Sequence, residues 1–242
     1  MKLTSLLVLS SAATMNAAVL VNEDFSYADG DLTTVGAPDW TAHSGATGTL
    51  LQVSGGAAVI THGGGSREDA NIGFGAIGGP GLLTASFDLV VSDDAPIVGS
   101  DFEYFAHFFS DGAFNFRSRT DIVEPTAGGD FALGIATTSS TADSTTSIDF
   151  SFDTVIPVEI TLNFDGAEIV STLTAGGETI TGTTVTEDAS SLSQFALRAS
   201  GSSSNETVTV DNLVIDFTAA IPEPSSALLA GLGFLGLLRR RR

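Results

Sequence analysis

The chain of 242 residues contains no cysteine. Disulfides, thiolate metal sites and a cysteine nucleophile are therefore excluded, and stability must come from packing and any bound ions. Lysine occurs once, at Lys2. Nine basic residues stand against 29 acids, for a net charge of −20. Five of the nine lie at the two ends, Lys2 and Arg239 to Arg242. Residues 19–221 thus hold only Arg67, Arg117, Arg119 and Arg198 against 28 acids. Such a field repels nucleic acid and anionic membrane surfaces, which excludes nucleic acid as a partner. It disfavours polyanionic glycans unless a cation bridges, and it suits solubility outside a cell and uptake of divalent cations. Most of these acids read as a solvated surface.

Catalytic signatures are missing too. No His-Glu-x-x-His motif, Gly-x-Ser-x-Gly elbow or phosphate-binding loop occurs. The three histidines, His43, His62 and His107, are too widely spaced to argue for zinc. Glycoside hydrolysis needs two carboxylates about 5 to 9 Å apart. Glu103, Asp149 and Asp153 are available, but no spacing ties them together. Helical periodicity is scarce between the ends.

What is present are short runs rich in Val, Ile, Thr and Phe, broken by Gly, Asp and Ser. They predict strands at 19–25, 49–53, 57–61, 71–76, 82–91, 101–110, 113–121, 130–136, 146–152, 157–164, 168–174, 179–184, 192–199 and 206–217. Asp111-Gly112, Asp165-Gly166 and Gly176-Gly177 mark turns. About a dozen strands in roughly 200 residues predict an all-β fold, a two-sheet antiparallel β-sandwich of jelly-roll type. Within 101–119, alternation places Phe102, Tyr104 and Phe108 on one face of a strand and Phe105, His107 and Phe109 on the other. Aromatic residues on both faces imply a central strand buried on both sides, and His107 reads as a core or inter-sheet histidine.

The ends differ from this middle. Lys2, the apolar run 3–9 and small residues up to Ala18 read as a secretory signal peptide, a helix over residues 1–18 removed on export. The sandwich domain then covers 19–220. At the other end, Pro222-Glu223-Pro224 forms a stiff, extended stretch. The uncharged run 225–238 follows and would span about 21 Å as a helix, against about 30 Å of hydrocarbon. The chain closes on Arg239, Arg240, Arg241 and Arg242, which favour the cytoplasmic side. The run is short for a lasting anchor and suits a helix that is later cut away.

In this order, Pro222-Glu223-Pro224, the apolar helix and the Arg cluster of residues 221–242 resemble the PEP-CTERM sorting signal of Gram-negative bacteria. The resemblance implies an exosortase as partner, transient anchoring in the inner membrane with a cytoplasmic C-terminus, and cleavage near the Pro-Glu-Pro. The product would reside at the cell surface or in the extracellular matrix. The middle of the chain resembles concanavalin A-like, laminin-G-type jelly rolls. It does so through Phe25-Ser26-Tyr27-Ala28-Asp29-Gly30, Leu162-Asn163-Phe164-Asp165-Gly166 and Val208-Thr209-Val210-Asp211-Asn212-Leu213.

Two candidate sites follow. Hard cations want several oxygens at once. If the first and last strands pair, Glu23 or Asp24 could share a calcium ion with Asp211; ordinary turn and edge acids are the alternative. Trp40 is the single tryptophan, in a Pro-Asp-Trp-Thr stretch that reads as a loop. It is a candidate sugar platform, with packing over the sandwich edge as the alternative. The functional expectation is an exported binding or structural protein directed at extracellular polysaccharide; the alternative is a secreted polysaccharide-degrading enzyme. Replacing Pro222-Glu223-Pro224 by three alanines is expected to leave the full-length chain in the membrane fraction. Normal release, followed by immunoblot of the fractions, would overturn the sorting reading.

Overall fold

The structure, a computed structural model, describes residues 17–220 except 46–47, 64–66, 78, 100–103, 110–115, 166–167, 187–190 and 201–204. Residues 1–16 of the expected signal helix, the expected apolar helix and the sorting residues from Pro222 to Arg242 lie outside the described residues. Sixteen strands are described: β1 (Ala17–Glu23), β2 (Gly30–Asp31), β3 (Trp40–Ser44), β4 (Leu51–Ser54), β5 (Ala57–Thr61), β6 (Glu68–Gly73), β7 (Gly81–Ser92), β8 (Tyr104–Phe109), β9 (Arg117–Val123), β10 (Ala132–Ala136), β11 (Ser144–Thr145), β12 (Ile156–Asp165), β13 (Glu168–Ala175), β14 (Glu178–Thr181), β15 (Gln194–Ala199) and β16 (Thr207–Ala219). One helical turn, α1 (Leu32–Val35), is capped by the Asp31 carboxylate, which accepts from the Thr33 amide.

Two antiparallel sheets result. The first runs β14-β13-β12-β7-β16-β5-β4-β2, with β1 also on β16; the second runs β11-β10-β9-β8-β15-β6-β3. In β7 the alternation is regular: Leu83, Ala85, Phe87, Leu89 and Val91 are buried, and the residues between them are not fully so. Each large buried apolar side chain of this kind stabilises by about 1.5–3 kcal/mol. Across the sandwich, Phe87 meets Phe105 of β8 edge to face, with ring centres 6.1 Å apart. Strands β8 and β10 are buried along their whole length, as expected for a strand covered on both faces.

β16 is the spine of the first sheet. It pairs with β7 from Thr207 to Ala219. On its other edge it pairs with β5 over Thr207–Val210 and with β1 over Leu213–Thr218. The change of partner coincides with a register shift between Asp211 and Val214 and with a left-handed Asn212, φ 54°. Such a bulge lets one strand serve two neighbours. The hairpins β4–β5 and β13–β14 close through Gly55-Gly56 and Gly176-Gly177, all four with positive φ, as a two-residue type I′ turn requires.

Some expected strands differ. The segment 146–152 contributes an isolated bridge between Phe131 and Phe150 rather than a strand. Its neighbour Asp149 is occupied instead in folding the preceding loop, accepting from the Thr126, Ala127 and Gly129 amides. Glu178 accepts from the Ser147 and Ile148 amides, Asp130 from Phe152, and Asp143 from Thr137 and Thr183. Glu68, fully buried, accepts from Gly48, Thr49 and Leu50. These hydrogen bonds hold the Asp149 and Glu178 carboxyls below the ordinary carboxylate range. A carboxyl with a lowered folded value stabilises the fold above its unfolded value and ceases to as pH falls through the lowered one. Asp149→Ala is therefore expected to melt below wild type at neutral pH. The gap should close as pH falls below about 4; a gap that does not change between pH 7 and pH 3 would contradict this role.

Candidate functional site

β8 is the element that shapes the outer face of the second sheet. Its register against β9 shifts twice, between Tyr104 and Ala106 and between Ala106 and Phe108. Phe105 and Phe108 consequently both join the core, while Tyr104, His107 and Phe109 lie outside it. This corrects the strict alternation expected from the sequence, which put Phe105 with Phe109 and Tyr104 with Phe108. On β15, Phe195, Leu197 and Ala199 face the core, so Gln194, Ala196 and Arg198 face outward. On β6, Ala70 and Ile72 face the core, which leaves Asp69 and Asn71 outward.

A cavity of about 470 Å³ opens at one end of this face. Thr41, Asn71 and Gln194 supply its side-chain amides and hydroxyl, and Leu20, Val21, Pro38, Asp39, Ile72 and Gly73 complete its wall. Its volume is in the range of ligand clefts. The Asn71 side-chain amide donates to the Gln194 side-chain oxygen at 3.0 Å, which fixes both amides and leaves further donor and acceptor positions. Thr41 is opposite Asn71, and Asn71 is opposite Ala196, which in turn is opposite His107. One row of side chains therefore runs from the cleft onto β8.

The acids of these strands do not form a free pair. Asp69 accepts a hydrogen bond from Ser44 and stands 3.4 Å from the Arg198 Nε. Burial raises its carboxyl above the ordinary value, against the lowering effect of Ser44 and Arg198. His107 is 1 % exposed. Burial, with Arg119 and Arg198 nearby, pushes its imidazole well below the ordinary value, so the ring is neutral at physiological pH.

Trp40 is not where the sequence suggested. It begins β3, it is fully buried, and its ring lies 5.7 Å from that of Phe25. Its Nε1–H donates to Glu23 Oε2 at 2.9 Å. A side chain with no exposed surface cannot stack on a sugar, so the platform reading of Trp40 is corrected to a core role. The acids named for calcium are engaged with protein groups. β1 and β16 do pair, with Glu23 opposite Leu213. But Glu23 already accepts from the Phe25 amide, the Tyr27 hydroxyl and Trp40. Asp24 is exposed and bonds the Ser26 amide, while Asp211 bonds the Asn212 amide. Among the described residues no group of three or more acids and histidines is arranged to hold a metal ion. The cleft residues Thr41, Asn71 and Gln194 were not singled out by sequence, because polar residues alternating with apolar ones are normal on any half-exposed strand.

Residues 220–242 match the PEP-CTERM protein-sorting motif. The chain carries a PEP-CTERM tail. That tail marks an exported protein, held at a membrane and then processed. No curated protein matches the chain. Among solved structures, the sandwich is similar to peanut lectin, at 15% identity over 87% of this chain and 100% of that one, with a TM-score of 0.52. It is also similar to the carbohydrate recognition domain of Emp46p, at 12% identity over 84% and 97%, with a TM-score of 0.51. Basic winged bean lectin gives 10% identity over 86% and 100%, with a TM-score of 0.52. At such identities the likeness concerns the fold alone: ahead of its PEP-CTERM tail the chain is a two-sheet antiparallel β-sandwich that resembles lectin jelly rolls.

Trp40→Phe keeps most of the packing and removes the bond to Glu23. Loss of a buried hydrogen bond to a charged group costs about 1.5–3 kcal/mol, so the unfolding free energy from denaturant titration should fall by that much with glycan retention unchanged. Retention lost without any loss of stability would restore Trp40 to the binding site.

Proposed function

We propose that the processed protein binds extracellular polysaccharide through the cleft on the outer face of β3, β6 and β15. The observation that carries this reading is the paired amide lining: Asn71 and Gln194 hold one another in place beside Thr41 in a cavity of ligand size. Fixed amides and a hydroxyl offer the alternating donors and acceptors that sugar hydroxyls require. The lectin-like architecture supports the reading as an analogy of fold. The tail supplies the place of action: an exosortase would release the domain at the cell surface or into the extracellular matrix. Binding is favoured over hydrolysis because Asp39 is the one acid among the described residues that lines the cleft, while Asp69 of β6 is taken up by Arg198 and Ser44. A hydrolase would need a second, free carboxylate at working distance from Asp39.

A glycan array of the exported, processed protein tests this. Asn71→Ala and Gln194→Ala are each expected to weaken retention of the bound glycan about tenfold, the scale of one or two hydrogen bonds, with the melting temperature close to wild type. Retention equal to wild type in both variants would remove the cleft from the function.

A further inference from the structure

Among the described residues that line the cleft, Asp39 alone carries a charge. None of the four arginines between residues 19 and 221 reaches that wall. Asp39 is exposed, and among the described residues no hydrogen bond or ion pair engages its carboxylate. Other acids of this domain differ. Glu23, Glu68, Asp69, Asp143, Asp149 and Glu178 are all taken up by protein donors. The cleft therefore presents a carboxylate that the protein itself leaves unanswered.

The backbone fixes where this carboxylate stands. The amides of Asp39 and Trp40 both donate to the Gly36 carbonyl, and the buried Trp40 is held in turn by Glu23. The wall beside it is open. Gly73 lines the cleft opposite Gln194, and free space lies where a Cβ at position 73 would stand. Thr41 and Gly73 are exposed and Gln194 is half-buried, so a solute reaches all of them from solvent. The charge of Asp39 is also felt nearby. The Tyr27 hydroxyl is pushed up by burial, by its bond to Glu23 and by the negative charge of Glu23, Asp39 and Asp24. Clefts lined by charge of one sign focus the field and concentrate the opposite ion. A carboxylate or sulfate on a sugar is repelled from such a place. A hard metal ion wants several oxygens at once, and among the described residues no group of three or more acids and histidines is arranged to hold one. A sugar hydroxyl can bond the carboxylate, but an ammonium adds the attraction of opposite charges to that bond.

We propose that the cleft selects a polysaccharide bearing free amines, an amino sugar in its deacetylated, ammonium form. Asp39 accepts from the ammonium, and Gln194 and Thr41 meet the ring hydroxyls beside it. The proposal rests on the polysaccharide reading above and narrows it to a chemical class. The net charge of −20, which works against acidic glycans, draws this class toward the protein. The placement of Asp39 in the cleft then decides where the amine is held.

The exported, processed protein would be applied to a glycan array that carries each oligosaccharide backbone in three forms, with a free amine, an acetamide or a hydroxyl at the same ring carbon. The array would be run at about pH 5.5, between the ordinary values of a carboxylate and an amine, about 4 and 8. The amine form is expected to be retained about tenfold more strongly than the hydroxyl form of the same backbone, the scale of one charge-assisted contact. Asp39→Asn keeps the shape and removes the charge. It is expected to abolish that preference and to leave retention of the hydroxyl form close to wild type. Glu159→Gln also removes one charge, from an exposed position of β12 on the first sheet, and is expected to keep the preference. Both variants should melt as wild type does. If glycans are retained with no preference for the amine, or if Asp39→Asn keeps the preference, the proposal fails and the cleft reading stands. If Glu159→Gln erodes the preference as much as Asp39→Asn does, the attraction belongs to the whole acidic surface and the proposal fails as well. If nothing is retained in any form, the polysaccharide reading falls with it.

Discussion

A domain with four arginines and no lysine for 28 acids cannot neutralise its carboxylates by ion pairing. It bonds them to backbone amides instead. Glu68, Asp149, Asp143 and Glu178 each gather amides from a loop distant in sequence, and the loops keep their shape through these contacts. Surface ion pairs contribute little in any case, whereas hydrogen bonds from amides to a charged acceptor are among the stronger ones. The acidity read as surface solvation is therefore in part internal scaffolding. Glu23 shows the extreme: its carboxylate is buried, joins β1 of one sheet to Trp40 of the other, and has every donor it needs from the protein itself.

This use of acids bears directly on the site. With the loops held by carboxylates, the few guanidinium groups are free to gather on one sheet face with Tyr104 and Phe116. The outer face of the second sheet thus carries the amides of Asn71 and Gln194, the Tyr104 and Phe116 rings and two guanidinium groups.

Much of the architecture was legible in the sequence. β7, β12, β13 and β16 alternate cleanly because one face is core and the other solvent. The Gly-Gly turn at 176–177 was legible because only glycine adopts two successive positive φ values at no steric cost. β3 was not, since Pro38, Asp39 and Trp40 together look like a turn; burial of Trp40 depends on Glu23, a partner 17 positions away. The facing of Phe105 depends on bulges in β8, which shift the phase of a strand without a local signature. The candidate face was partly visible: three of the four internal arginines fall at 117, 119 and 198, and pairing of β8 with both β9 and β15 brings those segments together.

The position of β16 has a mechanical consequence. It leads straight into the residues of the PEP-CTERM tail, so any tether attached there pulls on β16 first. β16 is not an edge strand that could be peeled one bond at a time. It is bonded to β7 along its length and to β5 and β1 on the other side. Tension along the chain would load those ladders in shear, many bonds together, and survival under such a load is governed by the unfolding rate rather than by equilibrium stability. A domain loaded through its last strand is thus strained through its most fully bonded element.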